Sequence, residues 1–321
     1  MTELGLQNRI RELGLTGRSF LTVHDFTPAD LGALLDLAGE LKARHKRGQM
    51  EHLLEGRAVA MIFMKTSTRT RISFEVGIAQ LGAQPLFLNA NDIQLRVGET
   101  MKDTGHVLSR FLDAIMIRTY AQADVVDLAA SATIPIINGL TDDHHPCQAM
   151  ADALTVREHC GGLEGRTLVY SGDGNNVAHS LAEVGAKTGM RVVICTPEDY
   201  RPDEAIIARA RADAAQTGAT IELTSDLRAA VKGADVIYTD TFTSMGQEAE
   251  HDVRLAALRA YQVNDELLAL AGPQAYVMHC LPAHYGEEVT EAALYGPQSV
   301  VFDQAENRLH AQKAIMAALI D

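Results

Sequence analysis

Short apolar runs alternate with stretches of helical period along most of this chain. "AVAMIF" (58–63) is apolar throughout, the pattern of a strand buried on both faces. Residues 68–82 set Ile72, Val76 and Ala79 in one row and Phe74, Ile78 and Leu81 in another, which predicts a buried helix. Strands follow at 85–88, 114–119 and 134–138, with helices near 100–111, 122–131 and 147–159. A turn-rich break, "GGLEGR" (161–166), interrupts the series, and the alternation then restarts. Strands are expected at 167–171, 191–196, 220–224, 235–240, 276–280 and 299–303, and helices near 176–188, 203–216, 252–260 and 305–319. Strands that alternate with helices predict the α/β class: two parallel-sheet lobes, 1–150 and 151–304.

That reading makes the polar stretches informative. Ligands of open α/β sheets sit outside the carboxyl ends of the strands. "KTSTRTR", "IRTY", "DDHHPCQ", "GDGNN", "DTFTSMGQE" and "HCLPAH" each close or follow a predicted strand, so all six belong to that side. Their coincidence predicts one active-site cleft between the two lobes.

Composition narrows the chemistry. The formal charge of −14, from 42 acidic and 28 basic residues, argues against a general nucleic-acid-binding surface. No apolar run reaches the roughly 18 residues of a membrane span. The N-terminus lacks the basic start and apolar block of a signal peptide. Cys147, Cys160, Cys195 and Cys280 form no C-x-x-C pair, so neither a zinc knuckle nor a redox motif is indicated, and reduced thiols with a cytoplasmic location are expected.

Against this acidic background, "KTSTRTR" (65–71) gathers anion-binding groups. Ser67 or Thr68 is placed to cap the following helix, whose free N–H groups and positive dipole end attract an anion. Ser67, Thr68 and Thr70 add hydroxyls, and Arg69 can grip phosphate through two N–H groups. A cap of this kind, without the glycines that wrap a polyphosphate, suits one terminal phosphate. The bland alternative is a well-capped helix with solvated arginines.

"HHPCQ" puts His145 at a loop-to-helix junction with Pro146 at the first helical position, and lets His145 and Gln148 donate to a carbonyl oxygen. No second His follows at i+4, which argues against a metal. "GDGNN" (172–176) resembles a dinucleotide fingerprint, but Val177 stands where its third glycine belongs. Asn175 and Asn176 fit the polar head of an amino acid better. "HCLP" brings Cys280 to a strand end, where a thiol is expected to face the cleft, and Asp240 of "DTFTSMG" suits a substrate ammonium beneath a loop able to close.

Taken together, "STRTR", "HPCQ", "GDGNN", "DTFTSMGQE", "HCLPAH" and "FDQAENRLHAQKA" resemble the ornithine carbamoyltransferases, within the wider aspartate/ornithine carbamoyltransferase group. The likeness runs from about residue 18 to the C-terminus. It implies transfer of a carbamoyl group from carbamoyl phosphate to the δ-amine of L-ornithine, with no cofactor or metal. Lobe 1–150, with the C-terminal helix 305–321 packed back on it, would bind carbamoyl phosphate, and 151–304 would bind ornithine. By position, Ser67, Thr68, Arg69 and Thr70 would hold the phosphate. Arg118, His145, Gln148 and Arg308 would surround the donor, with Cys280 and Leu281 beside the carbamoyl group and the reacting amine. Gln94 would reach a neighbouring subunit's site, since the family forms trimers. Asn176, Asp240, Ser244 and Met245 would meet ornithine. Arg118, His145, Asp240 and Cys280 are the implied catalytic set.

Three positions depart from the family pattern. Met64 stands where Glu is usual, Tyr285 where Arg is common, and "QLRVGE" (94–99) alters the setting of Arg96. A carbamoyltransferase for another amine, such as putrescine or an acylated ornithine, remains the nearest alternative. An NAD-dependent dehydrogenase would leave "STRTR" and "HPCQ" unexplained, and a non-catalytic amino-acid-binding protein would leave the reactive residues without a use.

Overall fold

The computed structural model describes residues 3–89, 93–94 and 98–321, so Arg96 lies outside the described residues. Contacts divide the chain into two compact units. One runs to Ala151 and takes in Asn307–Asp321; the other is Asp152–Glu306.

The first unit opens with two helices that the strand-led reading does not assign, α1 (Glu3–Glu12) and α2 (Pro28–Lys46). The signal for α2 is local. Thr27 accepts from the Asp30 N–H, the Asp30 carboxylate accepts from the Thr27 N–H, and Pro28 takes the first helical position. The series continues with β1 (Ala58–Phe63), α3 (Thr68–Gln80), β2 (Gln84–Asn89), α4 (Met101–Leu108), β3 (Ala114–Arg118), α5 (Gln122–Ser131), β4 (Ile136–Leu140) and α6 (Pro146–Cys160). The sheet is parallel, in the order β2-β1-β3-β4. Ala60, Ile62, Ile115, Ile117 and Ile136 pack with Val125 and Leu128 of α5 into one core.

Three expectations change here. The strand expected at 134–138 lies at Ile136–Leu140, with a register shift at Ile117/Arg118 and Gly139 pressed against Met116. In α3 the row of Phe74 and Ile78 is buried, but Ile72 is 55% and Val76 39% exposed, because only one side of the helix meets the core. The strand expected at 299–303 is not formed. Ser299 makes an isolated bridge to Val277, and Val301 starts a helix. A short apolar run such as "SVVF" reads alike as buried strand or buried helix start.

The second unit holds β5 (Thr167–Ser171), α7 (Asn176–Thr188), β6 (Arg191–Cys195), α8 (Glu204–Ala214), β7 (Thr220–Thr224), α9 (Leu227–Ala230), β8 (Val236–Thr239), α10 (His251–Leu258), α11 (Asp265–Ala271), β9 (Tyr276–His279) and α12 (Glu291–Tyr295). Its sheet, also parallel, runs β7-β6-β5-β8-β9. The C-terminal helix, α13 (Val301–Leu319), follows, and its residues from Asn307 belong to the first unit. No described helix is long and apolar enough to cross a membrane.

Each sheet reverses its winding once. In the first unit the reversal falls between β1 and β3, in the second between β5 and β8. A crevice for a ligand opens at such a switch point, beyond the strand ends.

Candidate functional site

In the first unit, the loops beyond β1, β3 and β4 are tied to one another at the switch point. Met64 N–H donates to the Arg118 carbonyl (2.8 Å), Thr119 N–H to that of Leu140 (3.0 Å), and Asp142 N–H to that of Tyr120 (2.8 Å). Lys65, buried, forms an ion pair with Asp142 and lies 4.3 Å from the ring centre of Tyr120, so one cation joins all three loops. Sequence reasoning assigned Lys65 no role of its own. Its signal, a lysine ahead of a cap motif, is weak without the fold.

Ser67 is the N-cap of α3, its Oγ accepting from Thr70 N–H at 3.2 Å. Thr68 and Arg69 follow on the first turn, where backbone N–H groups and the helix dipole favour an anion. Thr70 is buried, and its Oγ1 accepts from Arg308 Nη2 (2.9 Å), which leaves the hydroxyl proton to donate. Arg308 Nη1 donates to Gln148 Oε1 (2.9 Å). One guanidinium on α13 therefore links the starts of α3 and α6. Arg118, His145 and Gln148 are buried in the same unit. Burial, then the positive charges of Arg308 and Arg118, hold the His145 imidazole well below its usual pKa. His145 is therefore a neutral ring that can donate one hydrogen bond. Cys147, two residues on, is buried against the Asn138 carbonyl and pushed up to about 12 by burial, which makes it inert. Gln94 is described and exposed.

In the second unit, Asp240 follows β8 and Cys280 follows β9. Cys280 Sγ donates to Asp240 Oδ1 at 2.9 Å, and Asn175 Nδ2 donates to Asp240 Oδ2 at 2.8 Å. Asn175 also caps α7, its Oδ1 accepting from Val177 and Ala178 N–H. The asparagine that meets Asp240 is thus Asn175. Asn176, the one that the family resemblance assigns to ornithine, is the first helical residue beside it.

The "GDGNN" glycines serve the chain itself. Gly172 sits at φ 139°, where other residues strain. A Cβ on Gly174 would lie 2.2 Å from the Pro202 nitrogen, and Gly174 N–H donates to the Tyr200 carbonyl. The close approach that a dinucleotide fingerprint reserves for pyrophosphate is taken by residues 200–202. Asp173 is pushed up to about 6, chiefly by burial, against the lowering effect of its ion pair with Arg254. Arg254 Nε also donates to the Phe242 carbonyl (2.8 Å), so α10 anchors the root of the 240–246 loop. Ser244 is half-buried and Met245 exposed on that loop.

Leu281 adopts φ 57°, a conformation rare for a branched residue and one that gathers at functional sites. Its N–H donates to His279 Nδ1 at 2.8 Å. With Nδ1 accepting, the proton of His279 sits on Nε2, which faces Glu288 Oε1 at 3.1 Å. Glu288 is fully buried; nothing in the sequence around it marks it out.

In each unit, taken by itself, the grouped side chains have a chemical meaning. The first unit offers hydroxyls, guanidinium groups, a neutral imidazole and a helix start, which together suit a phosphorylated, carbonyl-bearing anion. The second offers a carboxylate already shared by a thiol and an amide, which suits an ammonium or amine.

Both units resemble known proteins. Residues 18–158 match the model for the aspartate/ornithine carbamoyltransferase carbamoyl-P binding domain, and 164–319 match that for the Asp/Orn binding domain. The chain belongs to the aspartate/ornithine carbamoyltransferase family. Within the family it is 55% identical over 306 residues to the ornithine carbamoyltransferase of Symbiobacterium thermophilum, covering 95% of this chain and 99% of that protein. The structure of ornithine carbamoyltransferase from Pyrococcus furiosus superposes with a TM-score of 0.93 at 54% identity, over 95% of this chain and 98% of that one. The Thermus thermophilus enzyme superposes with a TM-score of 0.85 at 40% identity, over 94% and 99%.

Proposed function

We propose that this protein transfers the carbamoyl group of carbamoyl phosphate to the δ-amine of L-ornithine, giving L-citrulline and phosphate. The observation that carries the reading is its near full-length identity, 54–55%, to proteins named ornithine carbamoyltransferase. The residue groups of each unit suit that chemistry.

The first unit, with the end of α13, binds carbamoyl phosphate. Ser67, Thr68, Arg69 and Thr70 hold the phosphate, and Arg308 completes its cage. Arg118, His145 and Thr70 donate to the carbamoyl oxygen. When the amine attacks, that oxygen gains charge, and donors fixed in advance stabilise it without reorganising. The neutral His145 donates without adding a further positive charge. As the C–O bond to phosphate breaks, charge moves onto the leaving group, where Arg69 and the start of α3 receive it. Gln148, held by Arg308, orients the carbamoyl amide.

The second unit binds ornithine through Asn176, Asp240, Ser244 and Met245, with Asn175 fixing Asp240. A free δ-ammonium has a pKa near that of Lys, about 10.4, and attack needs the neutral amine. Asp240 and Cys280 position the amine and help receive its proton, with Leu281 beside them. The protein works in the cytoplasm as a trimer or an assembly of trimers, Gln94 serving a neighbouring subunit's site. The exposed Ile72, Val76 and Leu86 supply apolar surface for such an assembly to cover.

Phosphate release from carbamoyl phosphate is the direct test. Release that depends on L-ornithine, with citrulline formed in equal amount, is the expected result. Release at the same rate without an amine acceptor would exclude a transferase.

A further inference from the structure

Beyond β9 the chain makes a tight turn, and the turn folds three metal-ligating side chains together. Glu287 N–H donates to the His284 carbonyl (3.0 Å), Gly286 N–H to that of Val289 (2.9 Å), and Gly286 takes φ 87°. Gln262 Nε2 pins the turn from outside, donating to the carbonyls of Gly286 and Glu287 at 2.8 and 2.9 Å. One ligand atom from each of His284, Glu287 and Glu288 then lies within 4.8 Å of the others.

A second observation marks the cluster as more than surface acids. Oε2 of Glu287 and Oε2 of Glu288 are both buried without a hydrogen-bond partner, and Glu288 as a whole is 0% exposed. A buried carboxylate oxygen with no hydrogen-bond donor is stabilised by a nearby cation. The other oxygen of each faces a histidine. Glu287 Oε1 lies 3.6 Å from His251 Nε2, and Glu288 Oε1 lies 3.1 Å from His279 Nε2. Outer partners of that kind orient metal-binding carboxylates. His284, with its side chain half-exposed and Nδ1 3.9 Å from Glu288 Oε2, gives an ion a way in from solvent.

The geometry points to a divalent transition-metal site formed by His284 Nδ1, Glu287 Oε2 and Glu288 Oε2, separate from the residues assigned to substrate. Two carboxylates and a neutral imidazole balance a 2+ charge. One nitrogen and two oxygens, with room for a solvent ligand, suit zinc, whose bonds to such ligands are about 2.0–2.2 Å. The ligand atoms, as much as 4.8 Å apart, must draw together around an ion, and the exposed His284 ring can supply that movement. Because Glu288 also holds His279, and His279 holds the Leu281 N–H, a bound ion stiffens the turn next to Cys280.

The test is calorimetric titration of zinc chloride into the chelator-treated full chain. Asp240, His279 and Cys280 form a second group able to hold a metal, so the parent protein for the test carries Cys280→Ser. That parent is expected to bind one zinc ion per chain, with a rise in its melting temperature. Adding His284→Gln or Glu287→Gln, both in the surface turn, is expected to weaken binding by at least about 10-fold, the loss that even an outer-shell partner causes. The melting curve without zinc shows whether each variant is folded. Zinc bound equally well by the parent and both variants would overturn the site, as would a folded parent that binds none.

Discussion

Arg308 Nη2 donates to Thr70 Oγ1 at 2.9 Å, joining residues 238 positions apart in the chain. Its other terminal nitrogen holds Gln148. A single guanidinium near the C-terminus thus ties the starts of α3 and α6 in the first unit. Replacing it with Lys keeps the charge but cannot make both bonds. Arg308→Lys is expected to raise the KM for carbamoyl phosphate about 10- to 100-fold, from the 1.5–3 kcal/mol of charged hydrogen bonds, with the KM for ornithine nearly constant. Steady-state kinetics with each substrate varied in turn checks this, and equal change in both constants would contradict it.

The bond between Cys280 and Asp240 belongs to the acceptor side. Cys280→Ala and Asp240→Asn are each expected to lower kcat/KM for ornithine on the order of 100-fold, the scale of a lost positioning or proton-transfer group. Carbamoyl phosphate binding, measured by calorimetry without ornithine, should change little. Equal losses for both substrates would refute the assignment.

His145 gives a pH prediction. Its pKa lies below 6.5 in the folded protein, through burial first and then Arg308 and Arg118. The unfolded chain therefore takes up the proton first. The stability this neutral ring contributes is complete above pH 6.5 and is lost as pH falls below it. Between pH 6.5 and 5, unfolding by urea should show the parent protein losing more stability than His145→Asn. Nuclear magnetic resonance of the ring should find it mainly neutral at pH 6.5, where a free imidazole is half protonated.

Asp173 has the opposite sign. Its pKa rises from 3.8 to about 6, chiefly through burial. A carboxyl group raised in this way contributes stability that is full below pH 3.8 and is lost as pH rises through about 6. From pH 8 to pH 5 the parent should gain about 1 kcal/mol relative to Asp173→Asn. Denaturant midpoints at the two pH values measure it, and parallel behaviour of the two proteins would contradict it.

Much of this was legible in the sequence because parallel strands buried on both faces leave unbroken apolar runs, as in 58–63 and 114–118. The polar loops after those runs then declared themselves. Other features were hidden for physical reasons. Asn175 and Asn176 are adjacent, and only the helix start decides that the first caps α7 and bonds Asp240. Glu288 lies in a turn rich in polar residues, and its burial depends on β9 and His279, distant from any local pattern. Ile72 and Val76 fit the period of a buried helix, yet the periodicity cannot say that α3 meets the core of its own chain on one side alone. The 299–303 run carried no mark to separate strand from helix start.

The identity of the amine acceptor decides what this protein does. Carbamoyl phosphate is offered with L-ornithine, putrescine, N-acetylornithine and aspartate in separate reactions, and each carbamoylated product is quantified. Rapid citrulline formation from ornithine is expected, with the other three amines slower by orders of magnitude. Faster product from any of the three would contradict it.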